Sequence, residues 1–206
     1  MPPDEGERSA GDGNALLKRG DYERALAAFE RAIKTNAADA EAHHGRGAAL
    51  RRLGRYEEAA AAYDDALRLR PGYAAAHFDR AFVLDKLGRH DEAVASYERA
   101  LKLEPDNAKA HNNKGVALAR SGNYDRALEA YDKAIALRPN EAKFYYNRAC
   151  ARSLCRRREE MLADLERAIA LDGRTRKLVK ADDDFRAYAE DPAFRRLVYP
   201  EEFASA

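Results

Sequence analysis

The sequence contains no tryptophan, only two cysteines and almost no net charge. Cys150 and Cys155 are too few for the disulfide framework of a small secreted protein, which favours a cytoplasmic location. No run approaches the roughly 18 consecutive apolar residues of a membrane helix, and the first residues lack the basic and apolar regions of a secretory signal. Lys and Arg number 37 against 36 Asp and Glu, a balance that disfavours a general nucleic-acid binder.

Catalytic and metal-binding motifs are also missing. The sequence has no G-x-x-x-x-G-K-[ST], G-x-G-x-x-G, G-x-S-x-G or H-E-x-x-H pattern, so we predict neither an enzyme nor a cofactor. His43, His77 and His111 recur every 34 residues. On successive helix pairs they would lie about 10 Å apart, too far to bind one metal ion, so we predict a packing role. The segment 182–184 is acidic but lacks the glycine and distal glutamate of a calcium loop, so we predict no metal site.

The dominant feature of the sequence is an internal repeat of 34 residues. Each repeat has a turn glycine, a residue two positions later that is usually tyrosine, and an aromatic residue nine positions after the glycine. A small residue lies seven positions before the glycine. The glycine column is Gly20, Gly54, Gly88, Gly122 and then Arg156, the aromatic column is Phe29, Tyr63, Tyr97, Tyr131 and then Leu165, and the small column is Gly13, Gly47, Ala81, Gly115 and Ala149. Such regularity indicates stacked structural repeats.

Within each repeat the spacing predicts two helices. Ala25, Leu26, Phe29, Ala32 and Ile33 follow the i, i+3, i+4, i+7, i+8 stripe of one helical face. The glycine ends the first helix because it adopts the left-handed conformation at little cost, and in the middle repeats a proline ends the second. Neither helix can bury its stripe alone, so neighbouring repeats must stack.

These columns resemble the tetratricopeptide repeat family, whose pattern is a 34-residue helix–turn–helix with a turn glycine, a tyrosine, A-x-x-x-F-x-x-A and a closing proline. The resemblance implies an all-α, right-handed α-solenoid of about five repeats over residues 6–175, at 6–39, 40–73, 74–107, 108–141 and 142–175. Residues 1–5 are expected to be disordered. As in bacterial arrays of this family, residues 176–206 are expected to form C-terminal capping helices and a tail, with Leu178, Val179, Phe185 and Phe194 covering the last repeat.

The resemblance also implies a function. In this family the first helices of the repeats line a concave groove that binds extended peptides or helices of partner proteins. Carried over by column, the groove is expected to include His44, Phe78, Phe82, Lys109, Asn112, Asn113, Lys143, Tyr146 and Asn147. Amides suit the capture of a peptide backbone, and lysines suit carboxylates. We therefore predict a non-catalytic protein–protein interaction scaffold.

The charge of the C-terminal half predicts a partner with an acidic end. Lys109, Lys114, Arg120, Lys143 and Arg148 collect there without an equal acidic column. No nucleic acid and no membrane is expected as a partner. A regulatory or self-assembling, homo-oligomeric repeat protein and the repeat part of a larger enzyme remain alternatives, and the sequence does not identify the partner.

Overall fold

The computed structural model describes residues 5–203, all of whose regular elements are helical. The residues expected to be disordered are mostly 1–4, which lie outside the described residues, and Glu5 is already the first residue of a helix. Within residues 5–203 no helix is long and apolar enough to cross a membrane. Contacts divide the chain into an N-terminal unit, Met1–Pro105, and a C-terminal unit, Asp106–Ala206.

The N-terminal unit consists of three helix pairs. Their bounds are α1 Glu5–Arg19, α2 Tyr22–Thr35, α3 Ala40–Arg52, α4 Tyr56–Leu69, α5 Ala74–Lys86 and α6 His90–Leu103. The members of each pair pack together, and α2 packs on α3 as α4 packs on α5. The pairs therefore stack in sequence, as the period predicts.

The C-terminal unit begins with two further pairs and ends with shorter elements. The pairs are α7 Ala108–Arg120 with α8 Tyr124–Leu137, and α9 Ala142–Leu154 with α10 Arg158–Leu171. The remaining elements are α11 Thr175–Lys180, a 3-10 helix at Asp183–Tyr188, α12 Pro192–Val198 and a 3-10 helix at Pro200–Glu202. The residues of the tail beyond 203 lie outside the described part of the chain.

Close approach of the helices depends on the aromatic and small columns. Tyr63 and Tyr131 are at most 2 % exposed. A Cβ atom on Gly47 would lie 2.6 Å from the Tyr63 ring, and one on Gly115 would lie 2.6 Å from the Tyr131 ring. Because real Cβ atoms do not approach so closely, the ring occupies the volume that the missing side chain leaves.

The turn within each pair requires a left-handed residue. The four turn glycines have φ between 75° and 81°, and Arg156 takes the same place in the fifth pair with φ 57°. The amide of Arg157 still donates to the carbonyl of Arg152, as the amide of Arg55 does to that of Leu50. The turn geometry is thus retained without glycine, at the cost of placing a side chain in a region that disfavours it.

The tail packs on the last helix pair. Val179, Phe185, Phe194 and Val198 are buried in one cluster with residues of α9 and α10 that include Met161 and Leu165. The expectation that Leu178 contributes to this cover is wrong, since Leu178 is 56 % exposed. The physical reason is that Val179 faces the core, and Leu178, the residue before it in α11, lies about 100° around the helix and faces away.

Candidate functional site

In the N-terminal unit the predicted site residues lie on α3 and α5. His44 Nε2 is 2.9 Å from Asp79 Oδ2, and His44 Nδ1 is 3.4 Å from the Tyr73 hydroxyl. A carboxylate only accepts hydrogen bonds, so Nε2 carries the proton and Nδ1 accepts from Tyr73. Burial and the carboxylate of Glu41 raise the pKa of Tyr73, which keeps its hydroxyl a donor. His44 is thus held in one tautomer and orientation.

Phe78 and Phe82 lie one turn apart on α5 and are both partly exposed. The Phe78 ring meets Tyr97 edge-on at 5.6 Å between centroids. Phe82 has two cations over its ring, the Arg51 guanidinium carbon at 5.2 Å and Lys86 Nζ at 5.7 Å. This surface therefore combines apolar area with positive charge, held by cation–π contacts.

A buried tyrosine supports this surface from below. Tyr63 of α4 is fully buried, and its ring centroid is 5.5 Å from that of His44. Its hydroxyl has no hydrogen-bond partner among the described residues. Burial and the nearby Asp79 carboxylate raise its pKa, so the hydroxyl is neutral. The aromatic column predicts a packed ring at this position but not an unpartnered hydroxyl.

In the C-terminal unit three of the predicted asparagines form one chain of hydrogen bonds. Asn147 Nδ2 donates to Asn112 Oδ1 at 2.9 Å, and Asn112 Nδ2 donates to Asn113 Oδ1 at 3.1 Å. Asn112 is only 2 % exposed, and its bond to Asn147 links α7 to α9. Asn113 and Asn147 are partly exposed. The buried amide fixes the orientation of the two outer ones.

Tyr146 is engaged by the tail. Its hydroxyl donates to Asp182, and its ring centroid is 6.2 Å from that of Phe185. Burial and this carboxylate raise the pKa of Tyr146. The sequence gives no signal for the contact, because the segment that makes it lies outside the 34-residue period.

The tail also brings acidic groups to the C-terminal unit. A cleft of about 510 Å³ is lined by Arg120, Tyr146, Asn147, Cys150, Asp182 and Asp184 together with apolar and small residues of α7–α9. The tail therefore adds two carboxylates beside the predicted groove residues Arg120, Tyr146 and Asn147. The repeat columns do not predict these two aspartates, because both lie outside the 34-residue period.

Cys150, Asp182 and Asp184 bring donor atoms within 4.8 Å of one another. The thiol donates to Asp182 with Sγ 3.6 Å from Oδ2, and burial together with that carboxylate raises the pKa of Cys150. A metal ligand must be a thiolate, which this environment disfavours. The group fits a hydrogen-bonded tie between α9 and the tail better than a metal centre.

The predicted cations separate into exposed and paired ones. Lys109 and Lys143 are exposed on α7 and α9. The expectation that Arg148 adds free positive charge to the groove is wrong: it donates to Asp132 at 2.5 Å and to buried Asp164 at 2.6 Å. Arg80 makes the equivalent bond to Asp64 at 2.5 Å in the N-terminal unit. This column therefore joins a first helix to the second helix of the preceding pair.

The histidine column packs as part of the inter-repeat turns. His43 Nε2 is 3.1 Å from the carbonyl oxygen of Ala37, His77 Nε2 is 2.9 Å from that of Pro71, and the Tyr145 hydroxyl donates to that of Pro139 at 3.0 Å. A carbonyl only accepts, so each histidine carries its proton on Nε2. Each side chain thus ties a first helix to the turn before it.

Family models agree with this architecture. Models described as tetratricopeptide repeats match residues 12–74, 78–142 and 142–175. The chain belongs to the tetratricopeptide repeat family. No curated protein sequence matches it significantly.

Solved tetratricopeptide repeat structures share the fold. A double mutant of MamA RS-1 superposes with a TM-score of 0.78 at 23 % identity, covering 85 % of this chain and 98 % of that one. MamA from residue 41 onwards of Desulfovibrio magneticus RS-1 has a TM-score of 0.74 at 24 % identity, covering 89 % and 99 %. YrrB, described as "a TPR protein with an unusual peptide-binding site", has a TM-score of 0.74 at 26 % identity, covering 84 % and 89 %.

Proposed function

We propose that this chain is a non-catalytic scaffold that binds an extended peptide or helix of a partner protein on the first helices of its repeats. The observation that carries the proposal is the surface around Phe82, a partly exposed ring with Arg51 and Lys86 over it. Two partly exposed aromatic rings one turn apart expose apolar area to water, and a helix face that only solubilises the protein would carry polar residues there. The printed description of YrrB supports a peptide as the ligand class.

The N-terminal unit offers a subsite for an apolar side chain next to an acidic one. Phe78 and Phe82 supply the apolar area, and the exposed Lys86 can pair with a ligand carboxylate, whereas Arg51 already lies 3.9 Å from Asp79. The hydrogen bond between His44 and Asp79 fixes the polar side of the subsite. Such preorganisation favours affinity, because less side-chain freedom is lost on binding.

The C-terminal unit offers groups for a peptide backbone and for further carboxylates. Asn113 and Asn147 are partly exposed amides, each with donor and acceptor capacity beyond the bond it makes to Asn112. Lys109 and Lys143 recur at the same repeat position and are exposed. An acidic end of the partner would lie at these lysines, so affinity should fall as salt rises.

A peptide-display selection on the full chain, followed by calorimetry of the selected peptides, tests the proposal. Phe82→Ala should weaken binding at least tenfold, and Lys109→Glu with Lys143→Glu should weaken it and flatten its salt dependence. Leu69→Ala is the matched control, because Leu69 is a 37 % exposed apolar residue on the second helix α4. The proposal would be wrong if the peptides bound Phe82→Ala and the double lysine variant normally but did not bind Leu69→Ala. The binding site would then lie on the second helices and not on the first.

Asn147→Ala is a poor test of binding. Removing this amide leaves the buried Asn112 without one partner, which costs about 1–3 kcal/mol of stability. Asn113→Ala carries a comparable structural cost, because it removes the acceptor of the buried Asn112 Nδ2. Either asparagine variant should therefore lower both the peptide affinity and the melting temperature, so the Phe82 and lysine variants are the tests of binding.

A further inference from the structure

The N-terminal edge of the array carries a cleft between α1 and α2. It measures about 380 Å³ and is lined by Asp12, Ala15, Leu16, Arg19, Arg24, Ala27 and Arg31. Apart from Leu16, which is partly buried, these side chains are exposed. The cleft lies on the face of α1 to which no preceding helix pair is added within the described residues.

On the α1 side of the cleft the equivalent positions of later repeats are covered, whereas on the α2 side they stay exposed, as Ala61 and Ala95 do one and two periods after Ala27. Ala49 and Val83, one and two periods after Ala15, are fully buried in helices that pack against α2 and α4 respectively. At Gly45 a Cβ atom would lie 2.3 Å from the Phe29 ring of the preceding second helix. At Gly11, one period earlier, a Cβ would meet nothing within 4 Å. Among the described residues, Gly11 thus lacks the aromatic neighbour that Gly45 has.

Charge around the cleft differs from that of the internal interfaces. In the later repeats a basic residue of the first helix pairs with an acid of the preceding second helix, as in Arg80 with Asp64. Here the equivalent position is Asp12, and Arg19, Arg24 and Arg31 line the same cleft. Arg24 has one ion pair, with Asp21 at 3.2 Å, which leaves the cleft positive in balance.

The N-terminal edge of a second copy does not complement the cleft, because two such edges face to face would oppose three arginines to three. The last helix pair of a copy is already covered by Val179, Phe185 and Phe194. An acidic helix does complement it. Such a helix would place an aromatic side chain over Gly11 and Ala15 as α2 places Phe29 over Gly45, with its carboxylates at the arginines.

We propose that this cleft is a docking site for an acidic amphipathic helix of a partner protein, distinct from the first-helix surface of the proposed function. The partner helix takes the position relative to α1 that α2 has relative to α3. Its aromatic residue and its acidic residues are the two features that the site selects.

The chain itself supplies a suitable probe. The α4 sequence, residues 56–69, carries four acidic residues against one basic residue and has Tyr63 at its centre. A synthetic hydrocarbon-stapled peptide of this sequence, labelled with a fluorophore, can be titrated with the full chain and followed by anisotropy. A second peptide in which the four acids are replaced by glutamines measures the charge contribution.

Ala15→Arg should weaken probe binding at least tenfold, because its long side chain fills the part of the cleft where the partner's aromatic residue would lie. Arg19→Glu with Arg31→Glu should weaken it to a similar extent, and the glutamine peptide should bind at least tenfold more weakly. Phe82→Ala should leave the affinity for the probe within twofold, because Phe82 does not line the cleft. A failure of this docking proposal can therefore be told apart from a failure of the proposed function. The proposal would be overturned if the probe did not bind, if it bound Ala15→Arg as well as the parent, or if Phe82→Ala abolished its binding. It would also be overturned if the chain self-associated and Ala15→Arg abolished that self-association.

Discussion

Arg158 donates two hydrogen bonds to the carboxylate of Asp191, at 2.5 and 2.8 Å, and so ties α10 to the start of α12. The earlier repeats have tyrosine or histidine where the fifth has Arg158. The exception is explained by the tail, because Asp191, whose carboxylate binds Arg158, lies outside the 34-residue repeats. Asp191 also accepts from the amides of Ala193 and Phe194, so it caps α12 while it binds the arginine.

Acid should loosen this connection. The hydrogen bonds from Arg158 and from the two amides lower the pKa of Asp191 to about 2 from its ordinary value of 3.8. A lowered pKa means that the stabilisation is fully present above about pH 4 and is lost as the pH falls through 2. In Asp191→Asn the cap is largely retained but the charge is absent. Thermal melts at pH 7, 4 and 2.5 should therefore show a smaller acid-induced loss in the variant, whereas parallel curves would refute this role.

Replacing Arg156 with glycine should stabilise the protein. At φ 57° the arginine side chain is in the left-handed region, which disfavours residues with a Cβ by roughly 1 kcal/mol. Arg156→Gly should raise the free energy of unfolding by about 0.5–1 kcal/mol, measured by chemical denaturation. Gly122→Ala, at φ 79° in the equivalent turn, is the matched control and should lower it. A stabilised Gly122→Ala would show that the turn does not require the left-handed residue.

These residues show what the sequence can and cannot predict. Periodicity predicts the helix pairs, the turn glycines and the packed aromatic column, because each depends on local spacing and recurs in every repeat. It does not predict that Arg148 binds Asp132 and Asp164, since the side-chain direction depends on how neighbouring helices meet. Nor does it predict the contact of Tyr146 with Asp182, because the tail has no counterpart in the repeats.

The buried carboxylate of Asp164 should be essential for the stability of the last helix pair. It is 3 % exposed and accepts hydrogen bonds from Arg148 and Arg152 at 2.6 Å. Asp164→Ala leaves both guanidinium groups without this partner in a largely buried place, and should cost about 3–5 kcal/mol. Asp132→Ala removes an exposed partner of the same Arg148 and should cost less than about 1 kcal/mol. Equal losses in the two variants by chemical denaturation would contradict this distinction.

Removing the tail should destabilise the C-terminal unit more than any change at its surface. A chain ending at Thr175 lacks Val179, Phe185, Phe194 and Val198, and would expose the faces of α9 and α10 that they cover. We expect a lower melting temperature, increased binding of a hydrophobic dye and concentration-dependent aggregation. Leu178→Ser in the full chain is the control, because Leu178 is 56 % exposed and its replacement should leave all three measurements unchanged. A truncated chain that stays soluble and melts like the full one would show that the last repeat needs no cover, and a destabilised Leu178→Ser would show that the tail packs through a different face.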